Sequence, residues 1–156
     1  METLLDDYIE VCKISDKFPR LVYTGRGRPG WDTYFLGITR AVSLRGDCSR
    51  RRVGAVLVRW DRRIASTGYN GVPPGALGCL EGPCERVSRA LQGDVLCPGY
   101  SDCRSVHAEA NALLYASKDD CAGSTLYITD EPCTSCLKLI RGAGVARIVT
   151  PNGELS

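Results

Sequence analysis

The segment "STLYITDEPCTSCLKLIRGAGVARIVTP", residues 124–151, constrains the fold more than any other part of the chain. "STLYITD" predicts a strand, "TSCLKLIRGAG" a helix beginning just after Pro132, and "VARIVTP" a last short strand. Strand, helix and strand joined by such short turns imply a parallel pair with a right-handed crossover. A parallel pair needs helices over its faces, so the chain is expected to build α/β layers. Upstream, "VGAVLVR" and "RIASTGY" are β-rich runs joined at "WDR", which reads as an antiparallel hairpin at one side of the same sheet.

The helical signals are less even. From Asp32, a suitable N-cap, "TYFLGITRAVSLR" sets Phe35, Leu36, Thr39, Val42 and Ser43 along one stripe, with Gly46 as the stop. "SVHAEANALLYASK" predicts a helix with a small-residue face, and "LLDDYIEVCKI" a short helix ending near Pro19. "TGRGRPG", residues 24–30, has the composition of a linker. Residues 1–30 are therefore expected to be an extension and linker, and 31–156 one domain. Between hairpin and second helix runs a Gly/Pro/Cys-rich stretch, residues 70–103. A loop that long inside a compact domain calls for a staple or a function.

A formal net charge of +2 supplies no broad basic field, and no basic channel with interleaved aromatics is evident, so nucleic acid is not an expected partner. No run approaches the roughly 18 apolar residues of a membrane span, and "METLLDDYIE" is acidic where an export leader would be basic. A cytoplasmic protein is expected. Thiols stay reduced there, so nine cysteines point to metal rather than to disulfides.

The chain has a single histidine, His107, and two residues on comes Glu109. Cys133 and Cys136 bracket the start of the later helix, where the positive helix end lowers thiol pKa. One imidazole and two thiolates match a catalytic zinc site, whose fourth position stays open for water with a pKa of about 7. Glu109, beside a ligand rather than aimed at the metal, is placed to carry protons to a ring nitrogen and a leaving amine. Plainer readings exist. A lone Cys-x-x-Cys also serves redox or structural zinc, and Asn70 in "GYNG" suits a turn. Arg51 and Arg52 are as consistent with a solvated basic turn as with a phosphate site.

An H-x-E followed by P-C-x-x-C is the general signature of zinc nucleobase deaminases. Through "WDTYFLGITRAVSLRGDCSRRRVGAVLV", "STGYNGVPPG", "HAEANALL" and "LYITDEPCTSCLKLIRGAGVARIV", in that order, the chain resembles the deoxycytidylate deaminase family over about residues 28–150. The resemblance implies a three-layer α/β/α fold with a mixed sheet, antiparallel in its N-terminal hairpin and parallel in the remainder. It implies zinc on His107, Cys133 and Cys136, with Glu109 moving protons and dCMP converted to dUMP and ammonia. It further implies that Arg50 meets the 5′-phosphate, Asn70 the sugar or phosphate, and the Ala108 backbone the pyrimidine carbonyl. Family members often carry a second, structural zinc; Cys48, Cys79, Cys84 and Cys103 are the expected ligands here, with Cys97 in reserve. Family members are commonly homo-oligomers, and some are activated by dCTP and inhibited by dTTP, so the resemblance implies a homo-oligomer open to that regulation. Two other functions stay open at this point: deamination of another small amino-heterocycle, and a zinc-stapled interaction module without catalysis.

Overall fold

The computed structural model describes residues 9–13, 19–23, 27–95 and 103–155. Its main unit is a five-stranded sheet in the order β4-β3-β5-β6-β7. β3 (Gly54–Val58) pairs antiparallel with both β4 (Ile64–Tyr69) and β5 (Thr125–Ile128). The expected parallel pair is β5 with β6 (Arg147–Thr150), bridged by helix α5 (Thr134–Gly142). The sequence reading stopped at β6; the chain turns once more and adds antiparallel β7 (Gly153–Leu155).

Strand alternation separates two cores. Val56, Val58, Tyr127 and Val149 face helix α1 (Trp31–Ser43), which buries Phe35 against them. Ala55, Leu57, Leu126, Ile128 and Ile148 face the other way, onto α3 (Ala108–Leu114) and α5. Helices on both faces of a mixed sheet give the three layers expected, and β3 is buried along its whole length. The remainder of the sheet beyond the hairpin is not parallel as expected, since among the described strands β5–β6 alone is parallel while β3–β5 and β6–β7 are antiparallel.

Two glycines set how near the helices come. A Cβ on Gly54 would collide with the Thr39 carbonyl and lie 2.6 Å from the Ser43 nitrogen, both on α1. A Cβ on Gly68 would collide with the Ala108 carbonyl and the Ala112 nitrogen of α3. On that side α3 is tied down twice more: Ser66 Oγ donates to the Ala112 carbonyl at 2.7 Å, and Asn111 Nδ2 donates to the Tyr69 carbonyl at 2.7 Å.

Several local expectations are corrected. The helix predicted over residues 4–14 is not formed where the chain is described: Ile9–Lys13 (β1) and Pro19–Tyr23 (β2) form an antiparallel pair. Short apolar runs such as "YIEVC" fit either period, and their β-branched residues favour the strand. Asp32 is not the N-cap of α1; that position is Gly30, and Asp32 instead accepts from the Tyr127 hydroxyl at 2.7 Å. The single helix expected over "SVHAEANALLYASK" ends at Leu114, and Ser117 opens α4 (Lys118–Cys121) with a capping box to Asp120. Within the Cys-rich stretch, where only loop was expected, Glu85–Leu91 forms helix α2.

Candidate metal centre and substrate cavity

His107 is the N-cap residue of α3 and Cys133 that of α5. Neither cap side chain closes onto its own helix. They meet instead, because α3 and α5 pack together on one face of the sheet. His107 Nδ1 lies 3.7 Å from Cys133 Sγ and 3.4 Å from Cys136 Sγ. The ligand atoms of the three all fall within 4.8 Å of one another, and no other such group forms among the described residues.

The donor set fits zinc. A tetrahedron with bonds of about 2.0–2.3 Å has edges of about 3.3–3.8 Å, which spans the two nitrogen–sulfur separations measured. One imidazole and two sulfurs are borderline-soft donors that leave a fourth corner open. Without a cation, burial pushes the Cys136 thiol well up, and the neighbouring Glu109 carboxylate adds to the rise. His107, Cys133 and Cys136 would hold a divalent ion here, and its charge would reverse that balance, since a coordinating thiol is deprotonated outright.

Glu109 lies in the first turn of α3 and is only 4% exposed. Burial raises its pKa above the usual carboxylate range; its own backbone N–H and His107 oppose the rise, and the Asp130 charge adds to it. The carboxyl sits within hydrogen-bonding reach of Cys136.

These groups border a cavity of about 170 Å³, lined by His107, Ala108, Glu109 and Cys133 among others. Arg50, Arg51 and Arg86 also line it, as do Asp130 and Glu131. The arginine triplet is thereby divided. Arg51 pairs with Asp130 at 2.9 Å, whereas Arg52 turns to donate to the Leu44 carbonyl at 3.4 Å and is not part of the lining. Glu131 is held from behind, its Oε1 accepting from Thr150 Oγ1 and Asn152 Nδ2, each at 3.1 Å.

Asn70 lines the same cavity, yet both ends of its amide are engaged by backbone. Oδ1 accepts from the Val53 N–H and Nδ2 donates to the Arg51 carbonyl, each at 2.8 Å. In this structure it braces the loop that presents Arg50 and Arg51.

The four cysteines expected to hold a second metal lie in one neighbourhood without converging on one point. Cys79, Cys84 and Cys103 border a gap of about 10 Å³, and Cys48, Cys84 and Cys103 border the main cavity. The Arg104 guanidinium bonds to Cys79 there. Cys97 lies outside the described residues.

Sequence reasoning passed over Asp130, Glu131 and Arg86 as site residues. The first two stand immediately before Pro132, inside a motif already singled out. Arg86 carries no local signal and reaches the cavity only through the path of the Cys-rich segment.

Residues 29–151 match the family model described as the cytidine and deoxycytidylate deaminase zinc-binding region. The chain is 52% identical over 131 residues to a deoxycytidylate deaminase of Mycobacterium phage D29, covering 80% of this chain and 96% of that protein. It is 40% identical over 131 residues to the deoxycytidylate deaminase of Schizosaccharomyces pombe, covering 83% of this chain but 39% of that longer protein. Among solved structures, the dCMP deaminase of cyanophage S-TIM5 in complex with dCMP and dUMP superposes with a TM-score of 0.61 at 29% identity, over 80% of this chain and 83% of that one.

Proposed function

The chain belongs to the cytidine and deoxycytidylate deaminase zinc-binding family, and on that premise we propose that it hydrolyses dCMP to dUMP and ammonia. The observation that carries this is the meeting of His107, Cys133 and Cys136 with a buried Glu109 beside them, at the edge of one cavity. The names of the phage and yeast relatives, and the nucleotides held by the cyanophage enzyme, support dCMP as the substrate.

His107, Cys133 and Cys136 would hold zinc, which when bound supplies the Lewis acid that activates the attacking water. Glu109 takes a proton from that water and delivers it to N3 of the pyrimidine as oxygen bonds to C4. It then moves the proton of the new C4 hydroxyl to the amino group, the C4–N bond breaks, and ammonia leaves. A buried carboxyl with a raised pKa suits a group that must both accept and return a proton. The Ala108 backbone, fully buried at the start of α3, is assigned to the pyrimidine carbonyl, and Arg50 to the 5′-phosphate. Asn70 serves the sugar or phosphate through the loop it braces.

The same proposal includes a second zinc on Cys48, Cys79, Cys84 and Cys103, homo-oligomeric assembly, control by dCTP and dTTP, and residence in the cytoplasm. Seven described cysteines are free thiols, which suits a reducing compartment, and no helix among the described residues is long and apolar enough to cross a membrane.

The test is a deamination screen over cytosine, cytidine, deoxycytidine, dCMP and dCTP, with metal analysis of the same sample. Ammonia release preferring dCMP, with zinc bound, is expected. Turnover of a different amino-heterocycle alone would redirect the substrate assignment. Zinc without turnover of any would favour a stapled interaction module.

A further inference from the structure

We propose that Glu131 reads the 3′-hydroxyl of the substrate's deoxyribose, and so selects a free nucleotide over one whose 3′-oxygen is esterified. The inference rests on the deaminase reading above and adds to it the residue that recognises the sugar.

Three carboxylates line the cavity, and two of them are already committed. Glu109 is buried beside the metal ligands. Asp130 has both oxygens engaged: Oδ1 accepts from the Glu131 N–H at 3.0 Å, and Oδ2 pairs with Arg51 at 2.9 Å. Glu131 differs from both. Its Oε1 takes the bonds from Thr150 and Asn152, and Thr150 is itself only 1% exposed, so one side of the carboxylate is fixed against the end of β6. Oε2 has no partner among the described residues, and no guanidinium pairs with the group there. Two neutral donors thus orient the carboxylate without neutralising it. One accepting oxygen is left over, on an exposed residue of the cavity wall.

The substrate offers two neutral hydrogen-bond donors, the C4 amino group and the 3′-hydroxyl. The amino-bearing carbon belongs to the metal centre and Glu109. Order along the chain points Glu131 to the hydroxyl. Cys133 marks the metal end, and Glu131 stands two residues before it. Asp130, one residue further back, is tied to the loop that carries Arg50 and Arg51. Metal ligand, Glu131 and arginine loop follow one another as base, sugar and phosphate do in dCMP. A carboxylate repels the phosphate but accepts from a hydroxyl, and such a charge-assisted bond is stronger than a neutral one. An ester at the 3′-oxygen removes the donor and, in a polynucleotide, sets an anion against the carboxylate.

The experiment compares the zinc-loaded full chain with E131A and with E131Q, which keeps an acceptor for Thr150 and Asn152 and replaces Oε2 by an amide. Each enzyme is assayed on dCMP and on 2′,3′-dideoxycytidine 5′-monophosphate, which differs only in lacking the 3′-hydroxyl, with zinc content and Tm as controls. Wild type should prefer dCMP by about 10- to 100-fold in kcat/KM, the range of a hydrogen bond to a charged group. In E131A the preference should shrink to about threefold or less, as expected of groups that no longer interact. E131Q, whose amide can only donate from that side, should retain part of it. A preference left intact in either variant, or absent from wild type, would overturn the assignment. Failure of the wild-type enzyme to act on dCMP would instead remove the substrate reading on which it rests.

Discussion

Replacing Gly68 by alanine tests whether the sheet sets the position of the active-site helix. The new methyl would meet the backbone of α3 at Ala108 and Ala112, with the Ala112 Cα only 3.0 Å away. Backbone cannot rotate aside as a side chain can, so α3 must withdraw. Restoring an ordinary carbon–carbon separation of about 3.5–4.0 Å moves the helix by about 0.5–1 Å. Overpacking of this kind costs about 1–3 kcal/mol, offset by about 0.5–1 kcal/mol for removing a strand glycine. A net loss of about 1–2 kcal/mol lowers Tm by roughly 2–8 °C in a domain of this size. The functional effect should be larger in proportion, because His107, Ala108 and Glu109 all travel with the start of α3. A misplacement near 1 Å can cost about 100-fold in rate. Differential scanning fluorimetry, zinc content and dCMP turnover read the three consequences together. Gly142→Ala is the control, since nothing lies within 4 Å of its added Cβ. A G68A protein with wild-type Tm and kcat would refute the argument that glycine contact fixes the site.

Glu109→Gln should leave zinc content and unfolding unchanged while lowering kcat by about 100-fold or more; undiminished turnover, measured by ammonia release, would remove Glu109 from proton transfer. Asn70→Ala should cost about 1–3 kcal/mol in urea unfolding, because the two backbone bonds it makes to the 51–53 loop are lost; unchanged stability would contradict the bracing role. Arg147 holds the Glu154 carboxyl below its usual range, so the pair's contribution is present above the ordinary Glu value and is lost as pH falls through the folded one. Glu154→Gln should therefore show a shallower fall of Tm than wild type below pH about 4.3, and parallel curves would argue against the linkage.

How much of this was readable beforehand depended on distance along the chain. His107 with Glu109, and Cys133 with Cys136, were legible as pairs because each motif occupies one helix start, where local spacing fixes relative placement; the 26 and 29 residues between His107 and the two cysteines are closed by α3 packing against α5. The α5 crossover and the β3–β4 hairpin were legible for the same reason, since short turns admit few connections. Arg86 was not, because its place depends on Asp47 and Arg104 clamping residues 32 and 25 positions away from them, Cys79 in each case. Asp32 was misassigned as a cap because its partner, Tyr127, lies 95 residues downstream. The close approaches at Gly54 and Gly68 leave no pattern in a single sequence, as a glycine that admits a helix looks like any other strand glycine. Strand β1 was misread because a five-residue stretch is too short to declare its period.

The grip of Thr150 and Asn152 on Glu131 has a practical side. It couples the turn between the last two strands to the rim of the reaction chamber, so whatever is joined behind β7 pulls on that rim. An affinity handle or fluorescent fusion placed there would be expected to disturb substrate entry without touching the metal.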